Sequence, residues 1–420
     1  MDAIALETVS KDQSGGFYVP EFEIRIAGQG VPEYIARDVL ELTYTDNIEK
    51  MDSFQLTVNN WNPETNDFKY IGAENSGIDS ESNADLSRVF EPCSTEVDII
   101  MGYVGYRHTM MKGYFTTMEP SFPSSGASTL AVRGFNALHK LRRKKYEQGW
   151  VNKKDSEIAL EISRANAQTN SSSSSGEGDC TPQRESNKRF PIPMIIPDGQ
   201  DQREPSIEFI AQNNEFDIDF LWRRARERGY VIKVITEENS TTGELEEKLY
   251  FGSPRDETEP PKYELEWGKS LVDFKPTITT ANQFKSVTVR GWNRERQEEI
   301  SVTVDLNDDE VRRVNPDLHC LIQHCDAREE DVVDLPVFRR DEAERRARAL
   351  LLDQTREIVK ASGTTVGLPE LRAGSRIQIK GLGTRISGEY FVTESTHTIN
   401  NSGYITKFKA RREQPAQGAQ

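Results

Sequence analysis

The residues best suited to chemistry in this sequence are four donors within one heptapeptide, His319-Cys320-Leu321-Ile322-Gln323-His324-Cys325. Thiolate and imidazole are the ligands zinc prefers, and the histidine and the cysteine each recur five positions on. That spacing matches no standard finger, and on a helix five residues turn about 140° beyond a full turn. The expectation is a stretch of apolar segment, with no metal and no cofactor. His319, Cys320, His324 and Cys325 stand as its one zinc candidate.

The rest of the chain offers no catalytic constellation. His108, His139 and His397 read as isolated among strands and helices, and no Gly-x-Ser-x-Gly elbow, His-Glu-x-x-His pair or P-loop is present. Gly381-Leu382-Gly383 reads as a hairpin turn, since no phosphate-binding lysine or helix start follows it. Carboxylates are too common, at 69 Asp and Glu, to single out an acid/base pair. The chain is therefore expected not to be an enzyme. A carbohydrate-binding module would need Trp61, Trp150 and Trp267 to line one groove, and a cell-wall hydrolase would need a legible acid/base pair.

At 420 residues the chain is long enough for two to four domains with real cores. A hydrophobic share of 35% suits several thin β domains better than one thick core. The net charge of -16 argues against nucleic-acid binding, which needs clustered Lys and Arg to neutralise phosphates. No run approaches the ~18 apolar residues of a membrane span. The first residues carry Asp2, Glu7 and Asp12 with no apolar stretch, so no secretory signal is expected. Four cysteines point to a reducing compartment, the cytoplasm, rather than to a disulfide framework.

The elements that must position any site are mostly strands. Phe22/Ile24/Ile26, Leu40/Leu42/Tyr44 and Phe54/Leu56/Val58 alternate with polar residues, the mark of half-buried strands. Residues 64–95 read as a long exposed loop. Alternation returns at Val97–Tyr103 and Lys112–Met118 and ends in Val132-Arg133-Gly134-Phe135-Asn136. A helix is expected at Ala137–Tyr146, carrying the dense basic run Lys140, Arg142, Arg143, Lys144 and Lys145. That run is read as a solvated face, with an acidic neighbouring subunit as the alternative.

A second helix candidate covers Asp155–Ala165, before the Ser-rich tract 170–176. Ile218, Leu221, Trp222 and Ala225 mark one face of another helix, capped by Asp217 and stopped by Gly229. Strands follow at Tyr230–Ile235 and Leu249–Phe251. Strands resume at Phe274 and run through a near copy of the first pentapeptide, Val289-Arg290-Gly291-Trp292-Asn293, to Ile300–Val304. An acidic connection, 305–335, leads to a helix with Ala343, Ala347, Leu350, Leu351 and Ile358 on one side, ended by Gly363. Ile377/Ile379, Tyr390/Val392, Ile399 and Ile405/Phe408 mark the last strands. Two similar pentapeptides, each closing an alternating stretch, suggest one β domain built twice around a small α+β domain.

The ordered set Ser206-Ile207-Glu208, Asp219-Phe220-Leu221, Gly229-Tyr230, Leu249-Tyr250-Phe251-Gly252, Val289-Arg290-Gly291-Trp292-Asn293, Glu342-Ala343-Glu344, Leu368-Pro369, Ala373-Gly374, Ser387-Gly388-Glu389-Tyr390-Phe391-Val392 and Gly403-Tyr404-Ile405-Thr406 resembles phage late control D proteins and VgrG-like baseplate hubs of contractile tails and injection systems. The likeness is strongest over 206–411 and looser over 17–146. It implies a mainly β fold with α+β, in which two tube-protein-like β-barrel domains flank a small α+β domain. The division expected is 1–150 for the first barrel, 151–265 for the inserted domain with its Ser-rich linker, 266–412 for the second barrel with a helix at 339–361, and 413–420 as a disordered tail. It also implies a homotrimer that adapts a six-fold inner tube to a three-fold spike. Other partners implied are the inner tube protein and baseplate wedge components, with no specific nucleic-acid binding. The sequence stops soon after its last strand, so the spike is expected to be a separate protein.

Overall fold

A computed structural model describes residues 4–5, 19–72, 89–92, 96–165, 190, 192–238, 245–253, 261–281, 283–314, 328–333, 337–383 and 385–412. The first unit contains strands β1 (Pro20–Ile26), β2 (Val39–Asn47), β3 (Ser53–Asn59), β4 (Glu96–Tyr103), β5 (Tyr106–Ser121) and β6 (Thr129–Asn136). The middle unit follows with β7 (Lys145–Lys153), α1 (Asp155–Arg164), β8 (Ile207–Phe216), α2 (Asp217–Arg228), β9 (Val231–Glu238) and β10 (Leu245–Gly252). The last unit holds β11 (Tyr263–Glu266), β12 (Leu271–Ile278), β13 (Phe284–Asn293), β14 (Glu298–Asp305), β15 (Arg328–Val332), α3 (Arg340–Arg356), β16 (Val359–Val366), β17 (Arg376–Lys380), β18 (Gly388–Asn400) and β19 (Gly403–Arg412). The fold is mostly β with large antiparallel sheets.

Alternation in sequence becomes alternation in burial. Leu42, Tyr44, Leu56, Val58, Leu130 and Val132 all face one side and are shut from solvent. The described apolar residues gather into three cores: one in the first unit, one around Trp150, Phe220 and Phe251 in the middle, and one in the last unit. Ile399 and Tyr404, from the last unit, belong to the first unit's core.

That sharing has a structural cause. Ten strands run side by side and antiparallel in the order β12, β16, β19, β18, β2, β3, β6, β5, β4, β1. Strand β18 makes the join. Its first residues pair with β17, a bulge falls between Val392 and Glu394, and Glu394–Asn400 then pair with β2 from Asn47 back to Glu41. A bulge bends its strand, which lets one strand serve both units.

The two pentapeptides perform the same local tasks in different sheets. Val132 and Val289 are fully buried. Arg133 and Arg290 point outward to carboxylates on neighbouring strands, Arg133 to Glu119 at 2.9 Å and Arg290 to Asp331 at 3.5 Å. Asn136 and Asn293 accept backbone N–H bonds from the turns that follow. Yet β6 lies between two antiparallel neighbours, whereas β13 pairs antiparallel with β14 and parallel with β15. The expected correspondence of strands is therefore local.

The glycine in each copy is set by close approach. A Cβ on Gly134 would stand 2.2 Å from the Tyr114 carbonyl oxygen and 2.4 Å from the Phe54 ring, and one on Gly291 would stand 2.4 Å from the Val337 carbonyl oxygen. Gly134→Ala and Gly291→Ala are each expected to lose about 1–3 kcal/mol through overpacking. A urea titration would show it, and an unchanged midpoint in either variant would refute the packing argument.

Several expectations need correction. The helix foreseen at Ala137–Tyr146 is a 3-10 turn, Ala137–Arg142, after which Tyr146 lies in β7. Pairing with β8 overrides the helical tendency of the basic run, because it buries Trp150 beside Ile210. Asp217 is not the cap of α2 but its first residue, buried and bonded to Gln212 Nε2 at 2.8 Å. Gly229 does stop that helix, at φ 70°. The last helix spans Arg340–Arg356 rather than 339–361, Ile358 lies beyond it, and Gly363 sits inside β16 beneath the Phe408 ring. Residues 64–95 are not all exposed loop, for Tyr70 and Phe90 are buried in the first core. Within 305–335, Asp309–Val314 is helical and β15 pairs with β13. The Ser-rich tract 170–176 and the tail 413–420 lie outside the described residues.

Candidate functional site

The zinc candidate His319, Cys320, His324 and Cys325 lies outside the described residues. Among the described residues no group of three or more His, Cys, Asp or Glu is placed to hold a metal ion. The three tryptophans do not line one groove: Trp61 packs on Phe68 in the first unit, Trp150 is buried on Phe220 in the middle unit, and Trp267 is exposed in the last. His139 Nδ1 donates to the Asn136 carbonyl at 2.8 Å, and His108 lies 3.8 Å from Glu370.

His397 proves to be the least isolated of the described histidines. It lies on the inner side of β18, with no exposed surface, where β2 and β18 join. Its Nε2 is 3.2 Å from the Leu371 carbonyl oxygen and 3.0 Å from Ser395 Oγ. A carbonyl only accepts, so Nε2 carries the proton and Nδ1 accepts from the Tyr404 hydroxyl at 2.9 Å. Ser395 in turn donates to Asp46 Oδ1, while Asp46 Oδ2 accepts from Arg372 Nε at 2.6 Å and from the Ala373 N–H at 3.1 Å. The Arg372 guanidinium also donates to the Tyr44 hydroxyl and stacks over the Tyr44 ring. Every partner comes from β2, β18, β19 or the 367–374 connection.

Serine, histidine and aspartate in one cluster invite comparison with a hydrolytic triad, and the geometry rejects it. The serine proton goes to Asp46, not to an imidazole base, and the far side of His397 meets a tyrosine, not a carboxylate. Ser395 and His397 are both wholly enclosed. The cluster is a fastening between the first and last units. In the sequence, its one visible sign was the polar side chains at inward positions of alternating strands, Asp46, Ser395 and His397.

Burial lowers the His397 pKa to about 3, and burial together with nearby Asp46 raises that of Asp52 to about 7. The two act in opposite senses. A base whose pKa falls on folding contributes stability that is lost as pH drops from about 6.5 toward 3. An acid whose pKa rises contributes stability that is lost as pH climbs from about 4 to 7. In the intact protein these two slopes oppose one another over the shared window. Relative to the natural chain, His397→Gln should therefore shift the balance toward stability that declines as pH rises from 4 to 7, and Asp52→Asn toward stability that declines as pH falls from 6.5. Denaturation midpoints across that range check both signs.

Above the fastening lies the outward side of this ten-strand antiparallel run. Thr43, Thr45 and Glu41 of β2 stand beside Thr398, Thr396 and Asn400 of β18, with the Thr43–Thr398 and Thr45–Thr396 hydroxyls 3.3 and 3.2 Å apart. Gln55 and Thr57 of β3 and Arg133 of β6 continue it on one side, Lys407 and Lys409 of β19 on the other. All of these are half-exposed or exposed. The result is one open, hydroxyl-rich wall spanning both β units.

The fold is shared with solved tail proteins. The chain is similar to the 43 kDa tail protein of prophage MuSo2 from Shewanella oneidensis, at a TM-score of 0.61 and 15% identity, covering 94% of this chain and 98% of that one. It is also similar to a tail protein from Neisseria meningitidis MC58, at a TM-score of 0.60 and 11% identity over 95% and 98% of the two chains. A third is the E. coli c3393 protein, a component of the type VI secretion system, at a TM-score of 0.51 and 13% identity over 94% and 78%. A family model, the Alg8 N-terminal domain, matches residues 201–401. That match begins within the middle unit and stops between β18 and β19, so it crosses the ladder those strands form. No curated protein sequence matches the chain. No helix among the described residues is long and apolar enough to cross a membrane.

Proposed function

We propose that three copies of this chain form the baseplate hub of a contractile tail or contractile injection system, a ring that joins a six-fold inner tube to a three-fold spike. Two β units per chain give a trimer six wall positions, which allows a three-fold ring to meet a six-fold one. The observation that carries this reading is β18, which runs one sheet through both units and leaves a polar face open. A continuous wall of that kind suits the lining of a central passage. Its likeness in fold to tail proteins over nearly their whole length supports the same reading.

On this reading the partners are further copies of the chain, the inner tube protein, the spike and baseplate wedge components. The protein acts by shape and subunit contact, with no catalysis and no sequence-specific nucleic-acid contact. Sedimentation of the purified chain should give a mass near three times 47.7 kDa, and electron micrographs should show a three-fold ring with a central hole. A monomer at micromolar concentration, or one that cleaves peptidoglycan, would sink the proposal.

A further inference from the structure

Two faces of opposite charge lie on different units of the chain. The first is a collar where the first and middle units meet, built from the basic run at 140–145 and the start of α2. Its cations stand against aromatic rings: Lys140 is 3.8 Å from the Tyr114 ring centre, Lys144 5.6 Å from Tyr146, Lys145 5.3 Å from Phe216 and Arg142 5.7 Å from Trp222. Arg142 also binds Asp219 at 2.8 Å. An aromatic face holds a cation in place without cancelling its charge, and Arg142, Lys144 and Lys145 are exposed.

The second face is the outward side of the three-stranded sheet β14-β13-β15. Its inner side, with Val287, Val289 and Val302, belongs to the last unit's core together with Ala343, Ala347 and Leu351 of α3. Register places Glu299 beside Trp292, Asp305 and Glu329 on either side of Ser286, and Asp331 beside Thr288. Arg290 bridges Glu299 at 3.6 Å and Asp331 at 3.5 Å, and four carboxylates against this guanidinium leave the face negative. Trp292 on the same face is 52% exposed.

We infer that the cationic collar of one copy binds the acidic sheet face of the next, head to tail; this rests on the hub reading above. In a ring of two-unit chains, neighbours meet between the last unit of one copy and the first of the following copy. The collar lies where the first and middle units meet, and the acidic face lies on the last unit. Copies that each carry a net charge of -16 repel one another, so a local pairing of opposite charge decides where they touch and in which register. Trp292 adds an apolar contact amid the charges.

Sedimentation of the full chain and its variants tests this. Lys144→Glu with Lys145→Glu should weaken association roughly 100-fold and leave monomer at concentrations where the natural chain is trimeric. Glu329→Lys with Asp331→Lys should do the same. A chain carrying all four reversals should regain the trimer, because each contact is then restored with its signs exchanged. All four positions are exposed or half-exposed, and circular dichroism would verify folding. Trimers that survive both two-site reversals would overturn the inference while leaving the hub reading intact. A monomeric natural chain would remove both. Variants that keep their mass but lose retention of duplex DNA would reassign the collar to nucleic acid and overturn it as well.

Discussion

Asp155→Asn is expected to cost about 3–5 kcal/mol and to unfold the middle unit first. Asp155 is wholly buried at the start of α1, where its carboxylate takes Arg224 Nε at 2.6 Å and Arg228 Nε at 2.6 Å. Arg224 is itself buried and reaches Glu227 as well. An amide in place of the carboxylate leaves two guanidinium groups without their shared counter-charge in a site that excludes water. Burial alone would raise the Asp155 pKa, but the two guanidinium groups outweigh it and hold the pKa below the usual value. The stability that follows is present above about pH 4 and is lost as pH falls through the lowered pKa. Fluorescence of Trp150 and Trp222, which lie in this unit, would report the transition. A variant with an unchanged midpoint would show that the cluster is incidental.

The second large effect is expected at Arg372. Replacing it with leucine strands the buried Asp46 carboxylate and removes the group stacked on Tyr44, an expected loss of about 3–5 kcal/mol. The consequence should be local before it is global, since Arg372 fastens the connection at 367–374 to β2. Amide exchange in the β2–β18 ladder, Glu41–Asn47 against Glu394–Asn400, should speed up while β8 and β9 of the middle unit stay protected. Arg372→Lys keeps the charge but loses the planar contacts and should fall between the two. In a double-mutant cycle, Asp46→Asn combined with Arg372→Leu should cost less than the sum of the single changes, because each partner's penalty arises from abandoning the other. Additive costs would show that the two residues do not act together.

Much of the architecture was legible from spacing alone. Alternation at Leu42/Tyr44, Leu56/Val58 and Leu130/Val132 gave strands and their buried faces, because in an extended chain every second side chain must point the same way. The periodic Ile218, Leu221 and Ala225 and the glycine stop at Gly229 marked α2 for an equally local reason. Where a local rule met a tertiary contact, the contact prevailed. The basic run after Asn136 became a 3-10 turn and a strand, since pairing with β8 buries Trp150. Gly363 reads as a helix stop until the Phe408 ring is seen lying across it.

What the sequence by itself determined is the alternating strands with their inward residues, the helix α2 and the mainly β class, all set by neighbours a few positions apart. The tertiary structure decided the rest. Asp46 and Ser395 are 349 residues apart in sequence yet hydrogen-bonded, and nothing in either strand's own pattern selects the other as its neighbour. The joining of two β units through β18, the enclosure of His397 and the placing of opposite charges on different units all depend on strand order in the sheet. Strand order is settled by which long-range pairings bury the most apolar surface with every backbone group satisfied, and no local window of residues contains that comparison.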